Sequence, residues 1–281
     1  MPVVVTGANG GVGRILVPML TERGEVRAVV RSRSAAVPLE GGGAKVAVCD
    51  LADTPTLRAV MEDAHTVVHL AGGLDMPDDD AYEAANAGTV REALEAAVEA
   101  DIRRFILLSY SGASPDSENA YLRSKGRAEQ AVLESGVEAV VVRATHIHGP
   151  GQRWTDEMRA AATRPLAATV IGSGRQRLAP VHVEDLAATL AAADDRTGTI
   201  RGTYAIGGPE VLTADEVIDR LAGRRRRKVH LSLNAARRAA RLQGRRYHPA
   251  LLEVLAADSL PDAPDASVAL GTNRPNPPQT V

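Results

Sequence analysis

A short apolar strand that runs straight into a glycine-rich turn and then into a helix constrains this chain more than any other feature. Residues 3–5 are three valines, the turn reads Thr6-Gly7-Ala8-Asn9-Gly10-Gly11-Val12-Gly13, and helical periodicity follows over 14–23. Gly7 lets the chain turn sharply, Gly10 lets backbone approach a pyrophosphate, and Gly13 lets helix and strand pack closely. The helix start adds free N–H donors and the positive end of a dipole. Thr6, Gly7, Asn9, Gly10, Gly11, Val12 and Gly13 are therefore the expected cradle of a dinucleotide.

Further β-branched runs at 26–30, 46–48, 67–70, 105–108 and 140–142 alternate with longer Ala/Leu-rich stretches. Strands apolar throughout are buried on both faces, which predicts an α/β fold, a doubly wound parallel sheet of Rossmann type. Asp53 and Thr54 open a helix that runs to Met61, and Gly136 closes one that begins near Tyr121. After Gly149-Pro150-Gly151 the rhythm shortens. We expect a nucleotide-binding domain over 1–150, a smaller C-terminal substrate lobe over 151–258 with elements returning to the core, and a flexible tail over 259–281. That tail holds five prolines and few large apolar residues.

A formal net charge of -2 and an aromatic content of 2% leave neither a basic field nor stacking platforms, so nucleic acid is not an expected partner. Between Gly223 and Tyr247 ten basic side chains meet no acidic one. They read either as a contact for an anionic partner or, as we favour, as a solvated face offset elsewhere. Cys49 is the only cysteine, which excludes a disulfide framework and a multi-cysteine zinc site, and no metal is expected. The start lacks a leader pattern and no long apolar run occurs, so the expected place is the cytoplasm, without a membrane partner.

At the end of the second strand, where a carboxylate would hold the ribose of NAD, the sequence reads Arg31-Ser32-Arg33. A guanidinium there clasps a 2′-phosphate, which favours NADP(H) over NAD(H). Asp50-Leu51 after the third strand would bracket the adenine. Leu70, Ala71 and Gly72 end the fourth strand with mostly small side chains, where bulk would collide with a cofactor.

With Tyr121-Leu-Arg-Ser-Lys125, Val181-His-Val-Glu-Asp185-Leu-Ala and Ile206-Gly-Gly-Pro-Glu210, these motifs resemble the extended and atypical short-chain dehydrogenase/reductases, nearest to the NmrA-like and complex I accessory-subunit-like groups. The resemblance spans roughly 3–222. It implies a catalytic Tyr121 and Lys125 on one helical face, the ammonium lowering the phenol pKa from about 10 toward neutrality and holding the nicotinamide ribose. The family's orienting hydroxyl aligns on Tyr110. Either Tyr110 takes that part, or a slip of one residue brings in Ser111, or the group is absent; Ser109 falls on the cofactor side.

Two departures stand out. Asn86-Ala-Gly88-Thr89 is one residue shorter than the family's Asn-x-x-Gly-Thr, which puts a relay role for Asn86 in doubt, and the usual Arg-Pro is Arg143-Ala144. Ala144 and His146 then fall beside the nicotinamide and His148 beside substrate, both histidines being candidates for substrate contact or acid/base work. The implied activity is a ketoreductase-like transfer of hydride to a carbonyl or quinone-like small molecule. An epimerase or dehydratase that uses the cofactor transiently and a non-catalytic NADP(H) sensor or accessory protein are the alternatives, and a homo-oligomer is compatible with all three.

Overall fold

Valine-rich strands with no polar face form sheets only where helices cover both sides, and the computed structural model, which describes residues 1–194, 200–242 and 247–272, has that arrangement. In chain order the first half runs β1 (Val3–Thr6), α1 (Gly13–Thr21), β2 (Val26–Val30), α2 (Arg33–Ala36), β3 (Lys45–Val48), α3 (Thr54–Met61), β4 (Thr66–His69), α4 (Asp79–Glu83), α5 (Thr89–Glu99), β5 (Arg104–Tyr110), α6 (Ala120–Glu134) and β6 (Glu138–Ala144). The second half adds β7 (Ile147–His148), α7 (Arg153–Ala162), β8 (Ala168–Ile171), β9 (Arg177–Leu178), β10 (Val181–His182), α8 (Val183–Ala193), β11 (Gly202–Ile206), β12 (Leu212–Thr213), α9 (Ala214–Leu221), β13 (Lys228–Leu231), α10 (Leu233–Leu242), α11 (Pro249–Ala256) and α12 (Ala266–Ala269).

Seven strands form one parallel sheet in the order β3-β2-β1-β4-β5-β6-β11. Alternation along each strand sorts its side chains to two cores. Val3, Val5, Ile106, Val140 and Val142 pack with Leu16 and Leu20 of α1 and Leu186 and Leu190 of α8. Val4, Phe105, Leu107 and Val141 pack with Leu57, Leu94 and Val132 of α3, α5 and α6 on the other face. β3 departs from the doubly buried pattern its valines suggest: it is the sheet edge, and Val48 is 48% exposed. Asp53 caps α3 by accepting from Thr56 N, as its position before the helix predicts.

The second half divides its elements. β11 extends the main sheet beside β6, and α8 packs on α1. Ala162, Val170, Leu178, Leu212, Val217 and Ile218, from α7, β8, β9, β12 and α9, build a separate apolar core. In the basic segment Asp219 accepts from Lys228 Nζ at 2.6 Å and from Arg226 N at 2.7 Å, while Arg224, Arg225 and Arg227 are exposed. Arg245 and Arg246 lie outside the described residues.

The flexible tail expected from residue 259 onward is corrected over 259–272. Ser259 is buried and exchanges main-chain hydrogen bonds with Arg177 and Ala179, Ala205 N donates to Pro264 O at 2.9 Å, and Ala266 of α12 is fully buried. Backbone hydrogen bonds and small side chains hold this stretch, so its low content of large apolar residues misleads. Residues 273–281 lie outside the described residues. Among the described residues no helix is long and apolar enough to cross a membrane.

Candidate cofactor cleft and adjoining chamber

Gly7 has φ +67°, and a Cβ there would stand 2.7 Å from Ala71 N, so the ends of β1 and β4 approach more closely than any other residue permits. A Cβ on Gly13 would lie 2.3 Å from Ala8 O, so the close approach at Gly13 is between the helix start and the turn itself rather than the strand. Gly10 meets only Gly7 O, at 3.2 Å, and faces a cleft of about 280 Å³. No side chain caps the start of α1; Arg14 N and Ile15 N already donate to Gly10 O and Val12 O, which leaves the N–H groups of Gly11, Val12 and Gly13 as the donors open to an anion.

The cleft brings together Gly7, Asn9, Gly10, Arg31, Leu51, Leu70, Ala71 and Gly72 from the expected set. Arg31 and Arg33 form no ion pair among the described residues, but only Arg31 lines the cleft; Arg33 lies in α2, turned to solvent. Asp50 also stands off it, its carboxylate accepting from Ala52 N, while its neighbours Cys49 and Leu51 line the wall. Thr6, Gly11, Val12, Gly13, Ser109, Lys125, Ala144 and His146 lie outside the lining, Thr6 in a buried hydrogen bond with His69 Nδ1 at 3.0 Å.

Val29, Val30, Met76, Ala85 and Thr89 complete the lining without a motif that announces them. Asn86 explains how that wall is held. One π-type turn (Ala84–Gly88) joins α4 to α5, and from it Asn86 accepts from Gly73 N and donates to Gly73 O and Tyr82 O. Asn86 thereby clamps the loop after β4.

Asn119 fixes the start of α6 by accepting from Tyr121 N and Leu122 N. One turn separates Tyr121 from Lys125, and both are buried. Lys125 Nζ donates to Leu108 O at 2.9 Å, and a Cβ on the cleft-lining Gly72 would be 3.5 Å from it, so the ammonium sits directly behind the cleft wall. Burial brings its pKa down to about 8, against the pull of Glu129. The expected lowering of the Tyr121 phenol is corrected: burial pushes it up, and Tyr110 and Tyr82 add to the rise. Their rings lie 5.5 and 6.0 Å away, and no hydrogen bond joins the phenol to Lys125.

Of the three candidates at the end of β5, Tyr110 is the one whose ring meets Tyr121. Its hydroxyl is hydrogen-bonded to His146 Nδ1 at 3.2 Å and to Ser259 Oγ at 3.1 Å. Ser109 and Ser111 keep buried hydroxyls with no partner among the described residues. His146 stacks on Trp154 with centroids 5.1 Å apart, and burial holds it down to about 4. His148 contacts His182 edge-on at 5.0 Å and is also near 4, through burial and then the His182 charge. Beyond His146 lies a second chamber of about 110 Å³, lined chiefly by lobe residues that include Trp154, Met158, Gln176 and Leu178.

Residues 7–193, which include the glycine turn, the Tyr121 helix and both histidines, match the model of a family described as NAD(P)H-binding. The chain belongs to that family. It is 34% identical over 227 residues to the mitochondrial NADH dehydrogenase (ubiquinone) 1 alpha subcomplex subunit 9 of Arabidopsis thaliana, a match covering 76% of this chain. That match spans only 56% of the plant subunit, little more than half its length. A (4-alkanoyl-5-oxo-2,5-dihydrofuran-3-yl)methyl phosphate reductase of Streptomyces griseus is 31% identical over 242 residues, 84% of this chain and 79% of that one. Among solved structures, MoeE5 in complex with UDP-glucuronic acid and NAD superposes with a TM-score of 0.77 at 23% identity, covering 99% of this chain and 95% of that chain, a likeness of fold.

Proposed function

We propose that this NAD(P)H-binding chain is an NADP(H)-dependent oxidoreductase of the short-chain dehydrogenase/reductase type, reducing a carbonyl or quinone-like small molecule. The observation that carries the reading is Tyr121 and Lys125, one helical turn apart, with the ammonium directly behind the cleft wall at Gly72. The cleft supports a dinucleotide reading: Gly10 leaves room for a pyrophosphate beside the start of α1, and Arg31 pairs with no carboxylate among the described residues, where a 2′-phosphate would lie. The bound cofactor supplies the hydride. Tyr121 holds the proton that the reduced oxygen takes up, Lys125 offers its ammonium to the ribose, and Tyr110 orients the tyrosine ring. Burial of both groups excludes water from the proton transfer.

A second reading, a cofactor-binding accessory protein without turnover, draws support from the raised phenol and from the bond of Lys125 to a main-chain carbonyl. Steady-state NADPH oxidation against ketones and quinones separates the two. For a reductase, Tyr121→Phe lowers the rate by about 10²- to 10⁴-fold with little change in NADPH affinity, and Lys125→Met lowers rate and affinity together. Turnover that survives Tyr121→Phe within a factor of about three rejects the proton-donor assignment. Absent wild-type turnover with tight NADPH binding selects the accessory reading.

A further inference from the structure

The chamber beyond His146 has a different character from the cofactor cleft. Trp154, Met158, Val170, Ile171, Leu178 and Ile218 form apolar walls. Among them sits one buried amide, Gln176, only 6% exposed. Its Nε2 donates to Ile171 O at 2.8 Å and to Leu255 O at 3.3 Å. Both partners are acceptors, so the orientation of the amide is fixed, and Oε1 is left buried with no partner among the described residues. A buried acceptor in that state favours any ligand that brings it a donor.

Charge narrows the ligand further. Among the described residues no lysine or arginine lines the chamber, and the one carboxylate that does, Glu157, is held by Arg153 at 2.8 Å. His146 is neutral near pH 7, burial having lowered its pKa to about 4. A phosphate or carboxylate entering here would lose its water and find no counter-charge. His146 also ties the chamber to the tyrosines, since its ring bonds Tyr110 and Tyr110 packs against Tyr121.

We propose that this chamber receives the remote end of the substrate, an uncharged apolar group of about four to six carbons whose hydroxyl or N–H donates to Gln176 Oε1. The size follows from the volume: about 110 Å³ is somewhat less than the ~150 Å³ of a dry cavity that takes benzene, and far too little for a nucleotide. The placement of the reacting carbonyl rests on the reductase reading. The character of the chamber does not.

Trp154 is the only tryptophan in the chain and lines the chamber, so its emission reports occupancy without turnover. Three probes of similar size are titrated against the full chain with NADPH present: diacetone alcohol, methyl isobutyl ketone and levulinate. The expected order is a saturable Trp154 response to diacetone alcohol, a response to methyl isobutyl ketone about three- to tenfold weaker in affinity, and levulinate weaker than diacetone alcohol by more than about tenfold. Gln176→Met should abolish the preference for the hydroxylated ketone while methyl isobutyl ketone still binds. If that variant does not fold, the order of the three probes on the wild type decides alone. Levulinate binding as well as diacetone alcohol, or no Trp154 response to either neutral ketone, overturns the proposal. NADPH oxidation read in the same samples keeps the two readings apart. A Trp154 response without oxidation removes the reductase and leaves the chamber, whereas oxidation with levulinate and no Trp154 response removes the chamber and leaves the reductase.

Discussion

Arg31 illustrates how far single residues can be read from sequence. Its place after the second strand with no acidic neighbour implied a phosphate contact, and it lines the cleft, whereas Arg33, two residues on, turns into α2. The difference is local: Ser32 caps α2 by accepting from Ala35 N, which carries Arg33 into the helix and away from the cleft. Arg31→Ala is expected to weaken NADPH binding by about 10- to 100-fold and leave NADH nearly unchanged, because a hydrogen bond to a charged group is lost only with the 2′-phosphate. Calorimetric titration of both cofactors checks it. Equal wild-type affinity for NADH and NADPH would refute the preference. Arg33→Ala should change either affinity by less than about twofold.

At the scale of elements, the catalytic candidates depend on how α6 begins. Asn119 accepts from two N–H groups of the first turn and donates through Nδ2 to Ala250 O at 3.0 Å and to Glu253 at 2.8 Å, so it caps α6 and ties it to α11. Asn119→Ala is expected to cost about 1 to 2 kcal/mol through the lost cap, with about 1 kcal/mol more from the tether. Urea unfolding measures the loss, and amide exchange at Tyr121 and Leu122 should quicken with it. A change below about 0.5 kcal/mol would show the cap to be replaceable by water. The helix itself was legible from the closing glycine and the periodicity. The tether was not, because α11 lies some 130 positions away in the chain and no local pattern records which distant carbonyl an asparagine will find.

Across the whole molecule, three buried histidines set the acid side of stability. Burial lowers His69 to about 3, with the Lys125 charge adding to the shift, and lowers His146 and His148 to about 4. Unfolded, each takes up a proton near pH 6.5; folded, each resists until about 3 or 4. Over that window the unfolded chain binds more protons, so stability falls as pH falls, by up to about 1.4 kcal/mol per pH unit for each histidine. The urea midpoint is expected to drop steadily from pH 7 to pH 5. A midpoint that stays level would mean these rings are protonated in the fold.

What the sequence determined by itself is what short-range physics controls. A strand, a glycine turn and a helix in direct succession have one way to pack, so the cradle, the sheet class and the spacing of Tyr121 and Lys125 followed from neighbours in the chain. Tertiary structure decided the rest. Burial beside the rings of Tyr110 and Tyr82 raised a phenol that spacing alone would lower, and sheet order made β3 an edge although its valines read as core. Main-chain pairing with β9 anchored residue 259 despite its polar surroundings, and a hydroxyl from that same residue reached Tyr110. In each case the deciding quantity is desolvation or pairing by groups far away in sequence, which no local pattern encodes.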